Sequence, residues 1–187
     1  MKKGDLINIR GTSPMSRLIR LLTRSAYSHS ACYVGNKKIV ESDWSGVQIK
    51  ILPDRTLYDI YRHIDATEEQ LETAVKWMLS QVGAKYDFMG LVWIGMNRLR
   101  TRKRNRVINE KKFWCSELIA DGYLNAKIKL NVNFDTFKVC PEDLSRDERM
   151  VIVGRANGII IDMNIKLGII IRVLALVGIV LLVRFLN

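Results

Sequence analysis

The sequence predicts an α+β domain, an antiparallel sheet packed against helices, followed by one C-terminal transmembrane helix. Three observations carry this. Short β-rich runs separated by turn residues fill the early part of the chain, a well-capped amphipathic helix follows near residue 67, and about twenty almost uninterrupted apolar residues lie near the end. The 187 residues are 48% hydrophobic and 26% charged, a balance that excludes a disordered chain and a multi-span membrane protein.

Asp5–Arg10 (DLINIR) alternates as a first strand should. Ser13-Pro14 supplies a cap and a first-turn proline, and Met15, Leu18, Ile19 and Leu22 then recur at helical spacing up to about Ser25. Ser30–Val34, Lys38–Glu41 and Val47–Leu52 read as strands of an antiparallel meander, with Gly35-Asn36 and Ser45-Gly46 as turns between them. Tyr58–Ile64 adds another strand.

Thr67-Glu68-Glu69-Gln70 has the pattern of a capping box, and Leu71, Val75, Met78, Leu79 and Val82 form the apolar stripe of the helix it opens. Gly83 is placed to end it. Residues 88–97 are apolar and helical in pattern, and they run into the basic segment 98–112. Phe113–Leu124 (FWCSELIADGYL) reads as a buried helix beginning near the cysteine, and Met150–Gly154 as a closing strand.

Residues 1–155 are therefore expected to form the folded domain, 156–166 a linker, and 167–186 a single-pass tail anchor. The run LGIIIRVLALVGIVLLVRFL is about 30 Å long as a helix, the thickness of a bilayer core. Arg172 lies inside it and must snorkel or find a partner, whereas Arg184 reaches headgroups at the far end. Dense positive charge before the span places the domain on the cytoplasmic side. The N-terminus lacks the apolar stretch of a cleavable signal peptide.

A formal charge of +11 points to an anionic partner or surface. The basic segment 98–112 lacks interleaved aromatics for stacking bases, which disfavours nucleic acid. Beside a membrane helix, attraction to anionic lipid headgroups is the expected role. Covering a cleft, binding phosphates or forming a solvated loop remain open alternatives.

Cys32, Cys115 and Cys140 are odd in number and widely spaced, so neither a disulfide framework nor a zinc site is expected. No cofactor is implied. A thiol hydrolase needs a cysteine held as thiolate, an imidazole, and a polar group to orient it. Cys115 sits where a helix starts, and a helix N-terminus favours the anion. His29 directly precedes a strand and Glu41 ends the next one. An odd-length connection around Gly35–Lys37 puts both on one face of the sheet; a three-residue loop pairs residue 31 with 41 and leaves His29 a diagonal step from Glu41. An even loop separates them. Cys32, three residues from His29, faces the other way. Cys140 is expected to be structural, and His63 a packed or surface histidine rather than a second base.

Gly4-Asp5-Leu6-Ile7, Ser28-His29-Ser30, Ile39-Val40-Glu41-Ser42, Gly83-Ala84-Lys85-Tyr86-Asp87, Trp114-Cys115-Ser116-Glu117-Leu118 and Pro141-Glu142-Asp143-Leu144 occur in that order. Together, over roughly residues 3–154, they resemble the circularly permuted papain-like hydrolases of the NlpC superfamily, of the YiiX and YebB type. The resemblance implies a permuted papain-like fold in which the histidine-bearing sheet precedes the cysteine-bearing helix. It also implies Cys115 as nucleophile, His29 as base, Glu41 as the group orienting the imidazole, and Tyr86 near the oxyanion. Asp87 and Glu117 fall inside motifs without an assigned role.

The expected reaction is cleavage of an amide or ester, in a peptide, isopeptide or lipid acyl substrate, through a thioester on Cys115. The competing readings are a non-catalytic membrane scaffold that keeps the fold, and a binder of nucleic acid or anionic lipid through residues 98–112.

Overall fold

The protein is described by a computed structural model over residues 1–53, 56–90, 112–131 and 138–156. The expected linker beyond Ala156, the tail anchor, and all of the basic segment except Lys112 lie outside these residues. So do residues 91–97 of the expected helix 88–97. Among the described residues no helix is long and apolar enough to cross a membrane.

Residues Met1–Ala156 form one compact unit. Six strands make an antiparallel sheet: β1 (Leu6–Ile9), β2 (His29–Gly35), β3 (Lys38–Asp43), β4 (Gly46–Ile51), β5 (Tyr58–His63) and β8 (Met150–Ala156), in the order β4-β3-β2-β1-β5-β8. The expected meander is β2-β3-β4. A second, parallel pair joins β6 (Lys85–Tyr86) to β7 (Lys112–Phe113).

Four helices lie wholly within the described residues: α1 (Pro14–Thr23), α2 (Glu68–Ser80), α3 (Cys115–Asn125) and α4 (Pro141–Ser145). The capping box of α2 is present in full: Thr67 accepts from the Gln70 amide and Gln70 from the Thr67 amide. Leu71, Val75 and Met78 of α2 meet Leu118, Ile119 and Tyr123 of α3, and both helices cover Leu6, Cys32 and Val40 of the sheet. Gly122 lets α2 and α3 approach closely, because a Cβ there would lie 2.6 Å from the Met78 methyl. Truncating such a core side chain, Leu118→Ala for example, costs about 2–5 kcal/mol. Ile7, Ala31, Ile39 and Leu52 form a smaller cluster of their own.

The β2-β3 connection differs in detail from the expected three-residue loop. Gly35 pairs with Lys38, so only Asn36 and Lys37 form the turn, both with positive φ. A register shift between Tyr33 and Gly35 then restores the parity of an odd loop, and Ala31 faces Glu41 as expected. The two-residue turn wins because left-handed residues match the twist of the strands. β3 also continues two residues beyond Glu41, to Asp43.

Candidate active site

α3 begins at Cys115, with Trp114 as its N-cap residue. The cap is reinforced by Glu117, whose carboxylate accepts the Trp114 backbone N–H at 3.3 Å. The Glu117 of the cysteine motif is thus a capping carboxylate at the positive end of the helix. Ser116 donates from Oγ to the Val139 carbonyl at 2.6 Å, which ties the first turn to the segment entering α4. Leu118, Ile119 and Tyr123 lock the rest of α3 into the core. The sulfur is therefore held by a helix with little freedom to shift.

β2 brings the imidazole. His29 is its first residue, and its Nε2 lies 2.9 Å from Glu41 Oε2 on β3. The same imidazole lies near enough to the Cys115 sulfur for the two to shift each other's charge. Lys50 of β4 holds the other Glu41 oxygen, Oε1, at 2.9 Å and also pairs with Asp43. Behind the strand, Ser30 Oγ donates to Asn8 Oδ1 at 2.6 Å, and Asn8 Nδ2 donates to the Pro141 carbonyl at 2.8 Å. These buried bonds link β1, β2 and α4 around the site.

The charges follow from this geometry. Burial works against a charged His29, but the Cys115 sulfur and the Glu41 carboxylate outweigh it, and the imidazole is pushed up to about 10. Burial also opposes the Cys115 thiolate. The His29 charge and hydrogen bond, helped by the backbone N–H groups of Ser30 and Ser116, prevail and hold the thiol below its ordinary value. Glu41, despite burial, is drawn down to about 2 by its bonds to His29 and Lys50. A thiolate–imidazolium pair is the resting arrangement these shifts favour at neutral pH.

Tyr86 reaches the same cleft from β6. Gly46 makes this possible: its φ is +97°, and a Cβ there would sit 2.4 Å from the Ala84 carbonyl oxygen. That carbonyl accepts the Val47 N–H at 2.8 Å, which fixes the turn before Tyr86. The ring packs on Trp44 with centroids 5.4 Å apart. Burial, then the nearby Cys115 and Asp43, push the phenol well above its ordinary value, so it keeps its proton. Asp87 accepts the Gly90 N–H at 2.8 Å, capping the helical residues that start at 88.

Tyr86, Trp114, Cys115 and Pro141 line a small cleft together with Ile19 and Thr23 of α1. The structure thus brings His29, Glu41, Cys115 and Tyr86 into one neighbourhood. Sequence reasoning missed three contributors. Lys50 was legible only through register, since Gln48 faces Glu41 and Lys50 lies a diagonal step on. The Ser30 amide had no signal at all. Trp114 Nε1 is a buried donor without a hydrogen-bond partner among the described residues.

The remaining residues sit as expected for packing. Cys32 is buried in the main core, where burial above all pushes its thiol up to about 12. Cys140 is buried at the start of α4, where its backbone N–H is capped by Asp143 at 2.8 Å. His63 is buried and donates from Nε2 to the Lys129 carbonyl at 2.8 Å.

A family model described as a permuted papain-like amidase enzyme, YaeF/YiiX, C92 family, matches residues 1–150. Among solved structures, the chain is similar to the crystal structure of the metalloprotein yiiX from Escherichia coli O157:H7. The two share 19% identity with a TM-score of 0.59, over 82% of this chain and 97% of that one. At that identity the likeness speaks for the fold. Among the described residues here, no group of three or more His, Cys, Asp or Glu side chains is placed to hold a metal ion. No curated protein matches the sequence.

Proposed function

The chain belongs to the permuted papain-like amidase family and is a papain-like cysteine hydrolase, and on that premise we propose that Cys115 is its nucleophile, His29 its base and Glu41 the group that orients the imidazole. The observation that carries this reading is the His29 ring bonded to Glu41 at 2.9 Å and coupled electrostatically to the Cys115 sulfur.

The Cys115 thiolate attacks the carbonyl carbon of an amide or ester, and the carbonyl π electrons move onto oxygen. The backbone N–H of Cys115 and the Tyr86 hydroxyl receive that oxyanion. As the tetrahedral intermediate collapses, His29 gives its proton to the leaving amine or alcohol, and the acyl group remains as a thioester on Cys115. Nδ1, the nitrogen that Glu41 leaves free, carries this proton. Water then attacks the thioester, His29 takes its proton, and the carboxylic acid departs with the thiolate restored. Glu41 keeps the ring in one orientation and stabilises its charge, without itself becoming protonated.

The apolar run Leu167–Leu186 supports a tether to a membrane, and the basic residues that precede it support a cytoplasmic domain. Under that reading the substrate is a peptide or isopeptide amide, or a lipid acyl amide or ester, presented near the bilayer. Lys and Arg within 98–112 attract anionic headgroups.

A thiol-alkylating probe at mildly acidic pH tests the nucleophile. Cys115 is modified preferentially, and the preference disappears in His29→Ala. Equal modification of all three cysteines overturns the assignment. Intact-mass analysis of acyl-enzyme trapped from a cell extract then reads the substrate class from the adduct on Cys115.

A further inference from the structure

α1 carries an apolar face that nothing in the described molecule covers. At about a hundred degrees per residue, the exposed Met15, Leu18 and Leu21 fall on one arc of the helix, Arg17 and Arg24 border that arc, and Ile19 and Thr23 lie on the inner side. The helix packs only lightly on the other described elements, and Thr23 is its one buried residue. Met15 and Leu18 are each 46% exposed and Leu21 is 73% exposed. These residues do not belong to a fraying end. Ser13 caps the helix by accepting the Ser16 N–H, Pro14 starts it, and Arg24 closes it in the left-handed conformation.

Single exposed leucines need no explanation. Three large apolar side chains on one ten-residue helix, bordered by arginines, do. Two copies of this helix packed face to face would bring like charges together at their borders. A surface that offers both acyl chains and negative charge complements the apolar strip and the arginines at once.

We propose that α1 is an interfacial helix that lies on an anionic lipid surface, with Met15, Leu18 and Leu21 in the acyl layer and Arg17 and Arg24 among the phosphates. Its inner edge, Ile19 and Thr23, forms one wall of the cleft that holds Cys115. Docking along α1 therefore brings the lipid to the helix whose other side lines that cleft. The contact is separate from the chemistry at Cys115, so a Cys115→Ala chain docks in the same way. It is also separate from any anchoring by the C-terminal apolar run, because it concerns the helix itself.

The test uses the full chain with phosphatidylglycerol/phosphatidylcholine vesicles and with phosphatidylcholine vesicles alone, and reads backbone hydrogen exchange over residues 14–24. Exchange there slows roughly tenfold or more on the anionic vesicles. The slowing is lost in the Met15→Ser, Leu18→Ser, Leu21→Ser triple variant, whose unchanged melting temperature shows that the fold is kept. Unaltered exchange on anionic vesicles overturns the proposal, as does equal slowing on the neutral ones. Slowing that grows with protein concentration in the absence of vesicles overturns it in favour of a second copy of the chain.

Discussion

Glu41 Oε2 stands 2.9 Å from His29 Nε2 because Ala31 faces Glu41 across the β2-β3 ladder, which leaves the first residue of β2 one diagonal step from the carboxylate. The pairing is a property of strand register, so a single slip of the hairpin would move the carboxylate to the other face of the sheet. Lys50, on the next strand, holds the far oxygen of the same carboxylate.

Glu41→Gln therefore changes the pH profile as well as the rate. Glu41 is among the groups that raise His29, so removing its charge lets the imidazolium lose its proton at lower pH. The alkaline limb of kcat/KM moves towards neutrality, while the acidic limb, set by the Cys115 thiol, moves little. The rate at the optimum falls at least about tenfold. An alkaline limb that stays where it was would count against Glu41 as the orienting group.

Stability should fall at both ends of the pH scale. Glu41 sits near 2 in the folded protein against an ordinary 4.5, so its contribution is complete above about 4.5 and is lost as pH falls through 2. His29 is raised from 6.5 to about 10, so its contribution is complete below 6.5 and is lost as pH rises through 10. Melting temperature measured across this range declines on both flanks, and Glu41→Gln flattens the acid one. Asp59, buried and held below its ordinary value against Tyr27, Arg155 and Arg10, keeps part of the acid decline in that variant.

Tyr86→Phe removes a hydroxyl and leaves the ring on Trp44. If the phenol receives the oxyanion, kcat falls on the order of tenfold to a thousandfold with KM and melting temperature nearly unchanged. An unaltered kcat would remove Tyr86 from the mechanism.

Gly46→Ala strains two things at once. The backbone is left-handed there, and the new methyl meets the Ala84 carbonyl oxygen at 2.4 Å. The expected cost is about 1–3 kcal/mol, read by denaturant unfolding. Turnover falls further than the lost stability explains, because the displaced segment carries Tyr86. A variant with wild-type stability would show that this turn relaxes freely.

Much of this site was legible from residue order. Parity alone tied a shared face for His29 and Glu41 to an odd connection, and opposite faces to an even one. It did not foretell the route, a two-residue turn at Asn36-Lys37 with a compensating irregularity between Tyr33 and Gly35. Cys115 at a helix start was legible because the apolar residues after it recur at helical spacing. The parallel β6-β7 pair was not, because two residues per strand carry no period. Nor was the Ser30 amide, which every non-proline residue possesses and only tertiary structure aims at the sulfur.

Two of the sulfur's partners, the His29 ring and the Ser30 amide, are adjacent on one strand, and both lie far from Cys115 in the chain. A nascent or partly unfolded molecule therefore exposes only three ordinary thiols, slow to react with anything. Chemical potency arrives together with the docking of α3 against β2, so the finished tertiary structure is its own safety catch. A rise in Cys115 reactivity during refolding would time that docking directly.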